Sequence, residues 1–424
     1  ITRHMALPVP TPSARPSLAD VDFAQAPFVV IWETTQACDL ACLHCRASAV
    51  PRRDPRELTT DEAKGLIDTI RRVGRPLFVL TGGDPLKRPD TVEIVRYGVE
   101  QGLRVALTPS GTPLMTPAVL EALADAGLSR LAVSLDGATA EQHDAFRGVA
   151  GSFDWTIRML EAARALGLST QINTTISRHN VHDLERLIAL MERLEIALWS
   201  VFFIVPVGRA RPNDLTTPEE FEAVFDRLYD LSANAPFDIK TTAAPHYRRL
   251  VMQRQRAERR AGTRDEPPVP LTAGVGFSLP DGVGRAKGVN DGDGFVFINH
   301  RGEIYPSGFL PLSAGNVRAD DLVEVYRTHS LFRALRDRDR LKGKCGVCEF
   351  RSVCGGSRAR AYAMTGDPLE ADPLCAYRPP AWEHRVERGE AEDLDAYFAS
   401  RIPEWSTRFA SGRAMPLSTA SALP

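Results

Sequence analysis

The 424-residue chain contains no run of about 18 apolar residues, and its Pro- and Ala-rich N-terminus has no apolar core of about 7 to 15 residues. These absences speak against a membrane-spanning helix and a secretory signal, and a soluble cytoplasmic protein with no membrane partner is expected. Charge of one sign is missing too: 52 basic residues against 54 acidic ones leave a formal net charge of −2. No global positive field is available for nucleic acid, so no such partner is expected. No internal repeat of about 20 to 50 residues is present, which speaks against a solenoid or propeller. Cysteine is scarce, at seven residues, and all seven fall into two groups. In a reducing compartment, thiols grouped in this way are metal ligands rather than disulfides.

The first group is Cys38, Cys42 and Cys45, in the run Thr-Gln-Ala-Cys-Asp-Leu-Ala-Cys-Leu-His-Cys directly after an apolar stretch, Phe28 to Trp32, that reads as a strand. Three thiolates with no fourth nearby can hold a cubane [4Fe–4S] cluster and leave one iron open, whereas structural zinc sites are closed by four protein ligands. An open iron can bind a substrate or cosubstrate. His44, between two of these cysteines, is read as a neighbour of the cluster rather than a ligand. The second group, Cys345, Cys348, Cys354 and Cys375, supplies four thiolates and would close a cluster completely, leaving it to carry electrons. Zinc is the alternative there, because Cys-x2-Cys pairs serve both metals.

The length implies two domains plus extensions. After an N-terminal extension (residues 1–26), residues 27–240 alternate β-rich runs with amphipathic helices. Strands are expected at Phe28–Trp32, Leu77–Thr81, Arg104–Thr108, Leu131–Leu135, Thr170–Thr175 and Trp199–Val205. Thr59 with Glu62 makes a capping box, and Thr217, Pro218 and Glu220 mark a second helix start. Six β-then-α units imply parallel strands with right-handed crossovers. The expected fold is α/β, a partial (β/α)6 barrel if the sheet curls, with a flat doubly wound sheet as the alternative. Residues 241–293 read as a bridging region. Its basic run from Tyr247 to Arg264 looks helical, either a solvated face or a patch for a carboxylate-rich substrate, and Gly262 to Gly294 reads as a linker or loop. A hairpin turning at Arg301-Gly302 opens a small C-terminal iron-sulfur auxiliary domain, residues 294–380, too poor in apolar residues to stand without metal. A helix and tail, residues 381–424, follow.

The Cys-x3-Cys-x2-Cys spacing resembles the signature of the radical S-adenosylmethionine (SAM) enzymes, whose open iron chelates the amino and carboxylate groups of SAM. The resemblance spans roughly residues 27 to 378. The C-terminal part is similar to SPASM or Twitch auxiliary-cluster domains. The run Cys354-Gly-Gly-Ser-Arg-Ala-Arg-Ala-Tyr-Ala-Met-Thr-Gly-Asp is similar to a segment of heme-biosynthetic members such as the iron-coproporphyrin decarboxylase. Ser307 and Arg358 stand where such domains often place further ligands, which implies a single auxiliary [4Fe–4S] cluster. The implied chemistry is reductive cleavage of SAM to a 5′-deoxyadenosyl radical, hydrogen abstraction from a substrate carbon, and transfer of one further electron to the auxiliary cluster. A flavodoxin- or ferredoxin-like electron donor is implied as a partner.

In a barrel of parallel strands the site lies at the C-terminal strand ends. Thr81-Gly82-Gly83-Asp84-Pro85 follows the second strand and resembles the family's Gly-Gly-Glu-Pro motif, with Asp84 in place of Glu; its backbone carbonyls would accept from the SAM ammonium group. Ser134 and Asp136 share a face at the fourth strand end, where Ser134 would donate to the SAM carboxylate; Asn173 and Thr175 share one on the fifth. Val207 with Arg209 suits an adenine wall beside a guanidinium for a carboxylate, and Arg147 is a further cation near the site. Two substrates stay open: a porphyrin or other small carboxylate, favoured by the heme-type segment and by Arg209, Arg248, Arg249, Arg358 and Arg360, or a peptide. Residues 1–26 leave little room for a leader-binding domain, which weighs against the peptide. A zinc-stabilised binding module without SAM chemistry is the remote alternative.

Overall fold

The computed structural model describes residues 22–262, 288–403 and 405. Its centre is one nine-stranded sheet: β1 Val29–Glu33, β2 Leu77–Thr81, β3 Arg104–Leu107, β4 Arg130–Ser134, β5 Thr170–Ile176, β6 Leu198–Phe203, β7 Asp238–Thr242, β8 Phe295–Ile298 and β9 Ile304–Tyr305. The spatial order is β7-β6-β5-β4-β3-β2-β1-β8-β9. All neighbours are parallel except β8 and β9, the expected hairpin. The six expected strands appear within one or two residues of their expected ends.

Three strands extend the sheet beyond those six. β7, Asp-Ile-Lys-Thr-Thr, pairs in parallel with β6. β8 pairs in parallel with β1, Val29 opposite Phe295, so the hairpin β8–β9 continues the barrel sheet. The edges are short: β7 has five residues, four of them polar, and β9 has two.

Eight helices alternate with the first seven strands or follow β7: α1 Thr60–Arg72, α2 Thr91–Glu100, α3 Pro117–Asp125, α4 Ala140–Arg147, α5 Ser152–Ala165, α6 Leu184–Arg193, α7 Pro218–Ser232 and α8 Tyr247–Arg260. α1 starts at the Thr59–Glu62 capping box and α7 at the Thr217–Glu220 box followed by Pro218. Strand alternation sorts the two faces of the sheet. In β2, Phe78 and Leu80 join the main core under the helices. Leu77 and Val79 point the other way, into a smaller cluster with Phe23, Phe28 and Phe295, and Thr81, on that same face, opens on a cavity. That cavity takes residues from the ends of β2 through β6 and from the loop after β1. A sheet that surrounds one cavity in this way is curled, and the flat doubly wound alternative is set aside.

α8 is helical as expected, with its first turn buried and Arg256, Arg259 and Arg260 exposed on a solvated face. Arg248 and Arg249 are buried, and Arg254 pairs with Asp226 and Asp230 of α7 at 2.7 and 2.6 Å. The expected loop after it lies largely outside the described residues. Beyond β9 come α9 Leu322–Thr328, α10 Ser330–Arg336, α11 Gly343–Val347, α12 Arg358–Thr365, α13 Pro380–Glu387 and α14 Leu394–Ala399. Trp382, Leu394, Tyr397, Phe398, Ile402 and Trp405 pack with Ala371 over the four-cysteine region.

Candidate active site

The loop after β1 carries Cys38, Cys42 and Cys45, and backbone contacts hold it from three sides. Cys38 N–H donates to Val50 O at 2.8 Å, closing the loop on itself; Ala41 and Leu43 N–H donate to Arg147 and Phe146 carbonyls at the end of α4; Arg209 N–H donates to Cys45 O at 3.0 Å. Gly83 belongs to this clamp. A Cβ there would lie 2.4 Å from Ala37 O, so only glycine lets the β2 loop approach the cysteine loop this closely. Gly208 does the same after β6, at φ +65°, where a Cβ would lie 2.3 Å from Cys45 O.

The three sulfurs line the cavity and are met by hydrogen-bond donors suited to thiolates. Leu40 N–H lies 3.3 Å from Cys38 Sγ, Ala49 N–H 3.4 Å from Cys45 Sγ, the Ser110 hydroxyl 3.3 Å from Cys38 Sγ, and Arg147 Nη1 3.7 Å from Cys42 Sγ. N–H to sulfur bonds and a nearby cation are what a thiolate-ligated cluster needs.

Gly82, Gly83, Ser134 and Asn173 line the cavity as the sequence suggests, and Ser134 and Asn173 are register partners across β4 and β5. Four other expectations are corrected. Asp84 is fully buried: its Oδ2 accepts from the Thr112 hydroxyl at 2.8 Å and its Oδ1 from Leu86 N–H at 3.1 Å, and Pro85 opens the 3-10 turn it caps. Burial pushes its carboxyl above the usual range, against those hydrogen bonds. Its work is to tie the β2 loop to the β3 loop. Asp136 is equally buried, ion-paired with Arg147, and accepts from Thr175 N–H at 2.7 Å. Val205 rather than Val207 lines the cavity; Val207 packs beside Leu310 and Ala359. Arg209 spends Nε on Cys42 O at 2.8 Å and Nη1 on Ala49 O at 3.0 Å, locking the cysteine loop.

The remaining arginine candidates are also engaged within the protein. Arg248 donates to Val353 O at 2.9 Å and to Val289 O at 2.5 Å, and Arg249 pairs with Glu222. Arg358 donates to Glu370 O at 2.6 Å, and Arg360 pairs with Asp372 at 3.0 Å and with the Ala243 carbonyl at 2.6 Å. Burying a cation without such partners would be too costly; Arg248 and Arg360 tie the barrel to the C-terminal region, while Arg249 and Arg358 find their partners within one region each.

His44 stacks on Phe146, centroids 4.2 Å apart, and burial holds its ring well below the usual histidine range, helped by Arg147 and Arg209. It is neutral. His143 is lowered to about 4 by burial and by Arg147. Ser110 and Arg46 are among the cavity residues that sequence reasoning did not reach. Ser110 follows β3 in Thr108-Pro-Ser-Gly, a strand end like the others, which is the signal that would have found it. Arg46 follows Cys45 and carries no motif of its own.

The second group, Cys345, Cys348, Cys354 and Cys375, walls another cavity with Arg249, Lys344, Phe350 and Tyr377. Gly356 N–H lies 3.3 Å from Cys354 Sγ, and Arg358 Nη2 approaches Cys345 Sγ at 4.0 Å. Burial pushes the Cys348 thiol up to about 12 and Cys375 to about 11.

A curled parallel sheet with three thiols on the loop after its first strand defines a half-barrel built to hold a metal cluster. The family model described as the Radical SAM superfamily matches residues 32–191. The AdoMet-dependent heme synthase of Methanosarcina barkeri is 41% identical over 361 residues, covering 85% of this chain and 99% of that protein. A mycofactocin maturase of Mycobacterium tuberculosis is 34% identical over 361 residues, covering 82% and 83%. In structure the chain resembles Streptococcus suis SuiB bound to S-adenosylmethionine, at TM-score 0.63 and 17% identity over 83% of this chain and 78% of SuiB, a likeness of fold. The chain belongs to the radical SAM superfamily: it is an enzyme, and its cofactors are a [4Fe–4S] cluster and SAM.

Proposed function

We propose that the chain oxidatively decarboxylates propionate side chains of an iron-bearing tetrapyrrole. The observation that carries this reading is the likeness to a protein named heme synthase over nearly that protein's whole length. The likeness to the maturase is weaker in identity, and the peptide reading stands as the alternative.

Cys38, Cys42 and Cys45 would hold the SAM-binding cluster, and that group would supply the electron for reductive cleavage of SAM. Cys345, Cys348, Cys354 and Cys375 would hold an auxiliary cluster, and that group would supply an acceptor for the second electron. The net reaction takes one hydrogen atom, one electron and CO2 from a propionate and leaves a vinyl group. The chain's own residues bind and orient. Ser134 and Asn173 offer hydroxyl and amide groups to SAM, the Gly82–Gly83 turn lets backbone approach it, and Arg147 holds a positive charge beside Cys42 while Asp136 fixes its direction. Phe202, Ile204, Val205 and Phe309 keep the reacting carbon away from water. An acidic flavodoxin- or ferredoxin-like protein delivers the first electron, and a cytoplasmic setting keeps the seven free cysteines reduced.

The test is the pair Cys345→Ala/Cys348→Ala. It is expected to lose about half of the iron, keep the SAM-responsive electron paramagnetic resonance signal, and lose vinyl product, because a closed cluster offers SAM no iron. Full product formation by this variant refutes the acceptor role.

A further inference from the structure

A tetrapyrrole with ionised propionates needs a cation inside the cavity, and the arginines that sequence suggested are spent elsewhere. Among the described residues lining the cavity, the guanidinium groups are those of Arg46 and Arg147. Arg147 is committed to Asp136 and to Cys42 Sγ. Arg46 is not used up. Its Nη2 donates to Glu33 Oε2 at 2.7 Å, and its Nη1 reaches Gly308 O at 3.5 Å, the limit of a hydrogen bond. A guanidinium has five N–H donors, so at least three remain. The side chain is 19% exposed, and that exposure opens on the cavity it lines.

The surroundings hold this group in place. Its guanidinium carbon lies 4.7 Å from the centre of the Phe297 ring on β8. A Cβ on Gly308 would fall 2.8 Å from Phe297 and 3.2 Å from Arg46 Cδ, so the loop after β9 packs tightly over the arginine stem. Glu33, at the end of β1, is shared with His300 Nδ1 at 2.8 Å, so its charge is divided between two partners. Next to Gly308, Phe309 lines the cavity and meets Phe202 of β6 with ring centroids 6.3 Å apart. An apolar face and a fixed cation therefore lie on one wall, where the barrel meets the auxiliary region.

We propose that Arg46 is the carboxylate subsite of the substrate cavity, pairing with a propionate at the edge of a planar macrocycle whose face rests on Phe309 and Phe202. This rests on the tetrapyrrole reading given above. The remaining N–H donors of Arg46 suit charge-assisted pairing with a carboxylate, and its position beside the Cys45 loop brings that edge of the macrocycle to the site of chemistry.

The experiment is an anaerobic absorbance titration of iron-loaded protein with iron-coproporphyrin III and, in parallel, with its tetramethyl ester, which keeps the macrocycle and lacks the charges. Arg46→Gln is expected to weaken binding of the acid at least tenfold and of the ester by less than twofold. Phe309→Ala is expected to weaken both alike. Equal losses for acid and ester in Arg46→Gln, or no loss for either, overturn the subsite. Should Arg46→Gln lose its iron, Arg46→Lys, which keeps the charge and the stem over Phe297, carries the test: the acid must bind several-fold more weakly and the ester unchanged, and any other pattern overturns the subsite. Wild-type protein that binds neither ligand overturns the tetrapyrrole reading and the subsite with it, a failure visible before any variant is made.

Discussion

At the scale of single residues, the cysteine loop is held by groups that never touch a ligand. Asp136 is fully buried, and its partner Arg147 is raised further above the usual arginine range, burial being outweighed by Asp136 and Cys42. Asp136→Asn leaves a buried guanidinium without its counter-charge, a change that costs about 3–5 kcal/mol. The unfolding midpoint of Asp136→Asn in denaturant should fall accordingly, and an unchanged midpoint refutes the pairing. Gly83→Ala is a second residue-scale prediction. The added Cβ, 2.4 Å from Ala37 O, must displace the cysteine loop. Iron bound after reconstitution should drop below half of wild type while far-ultraviolet circular dichroism stays that of the barrel; normal iron content contradicts the clamp. The arginines show what sequence could not reveal. Arg209, Arg358 and Arg360 read as cavity cations because the chain displays only their charge. Their partners, Cys42 O, Glu370 O and Asp372, come together only in the fold.

At the scale of elements, His246 ties the region before α8 to α7. Its ring stacks on Phe221 at 5.5 Å and meets Phe225 edge-on at 4.8 Å, with neither nitrogen hydrogen-bonded. Burial lowers it to about 3, with Arg360 and Arg249 adding to the effect and Asp372 opposing it. A histidine held neutral in the fold gives stability that is whole above its unfolded value, about 6.5, and is lost as pH falls toward the folded one, because only the unfolded chain takes up the proton. Between pH 6.5 and 5 this amounts to about 2 kcal/mol. His246→Leu should therefore lose less stability than wild type over that interval, and parallel losses contradict the assignment. Strands and helix starts were legible because alternation and capping boxes are local: β2 runs Leu77–Thr81 as expected, and α1 begins at its box. β7 was not, because four of its five residues are polar, so the strand carries no apolar alternation. The pairing of β8 with β1 joins residues far apart in sequence, and no local pattern encodes it.

At the scale of the whole molecule, the chain joins two cysteine sites around one sheet. The three-cysteine loop was legible outright, because ligand spacing and its place after a strand are both written in sequence. The substrate wall was not: Arg46, Phe202 and Phe309 come from β1's loop, from β6 and from the region after β9, and only the closed fold sets them side by side. On the function proposed above, the three-cysteine site would serve removal of a hydrogen atom and the four-cysteine site removal of an electron from one substrate. A Cys42→Ala variant should make no 5′-deoxyadenosine from SAM under dithionite, because a cluster deprived of one of its three thiolates is not held; continued formation refutes the first site. The most direct test of the central claim is mass spectrometry of iron-coproporphyrin III after anaerobic incubation with the reconstituted enzyme, SAM and a low-potential reductant. The account predicts stepwise conversion of propionates to vinyl groups, with one 5′-deoxyadenosine formed for each CO2 released. SAM cleavage that leaves the porphyrin mass unchanged, with label from a deuterated peptide appearing in 5′-deoxyadenosine, would contradict it.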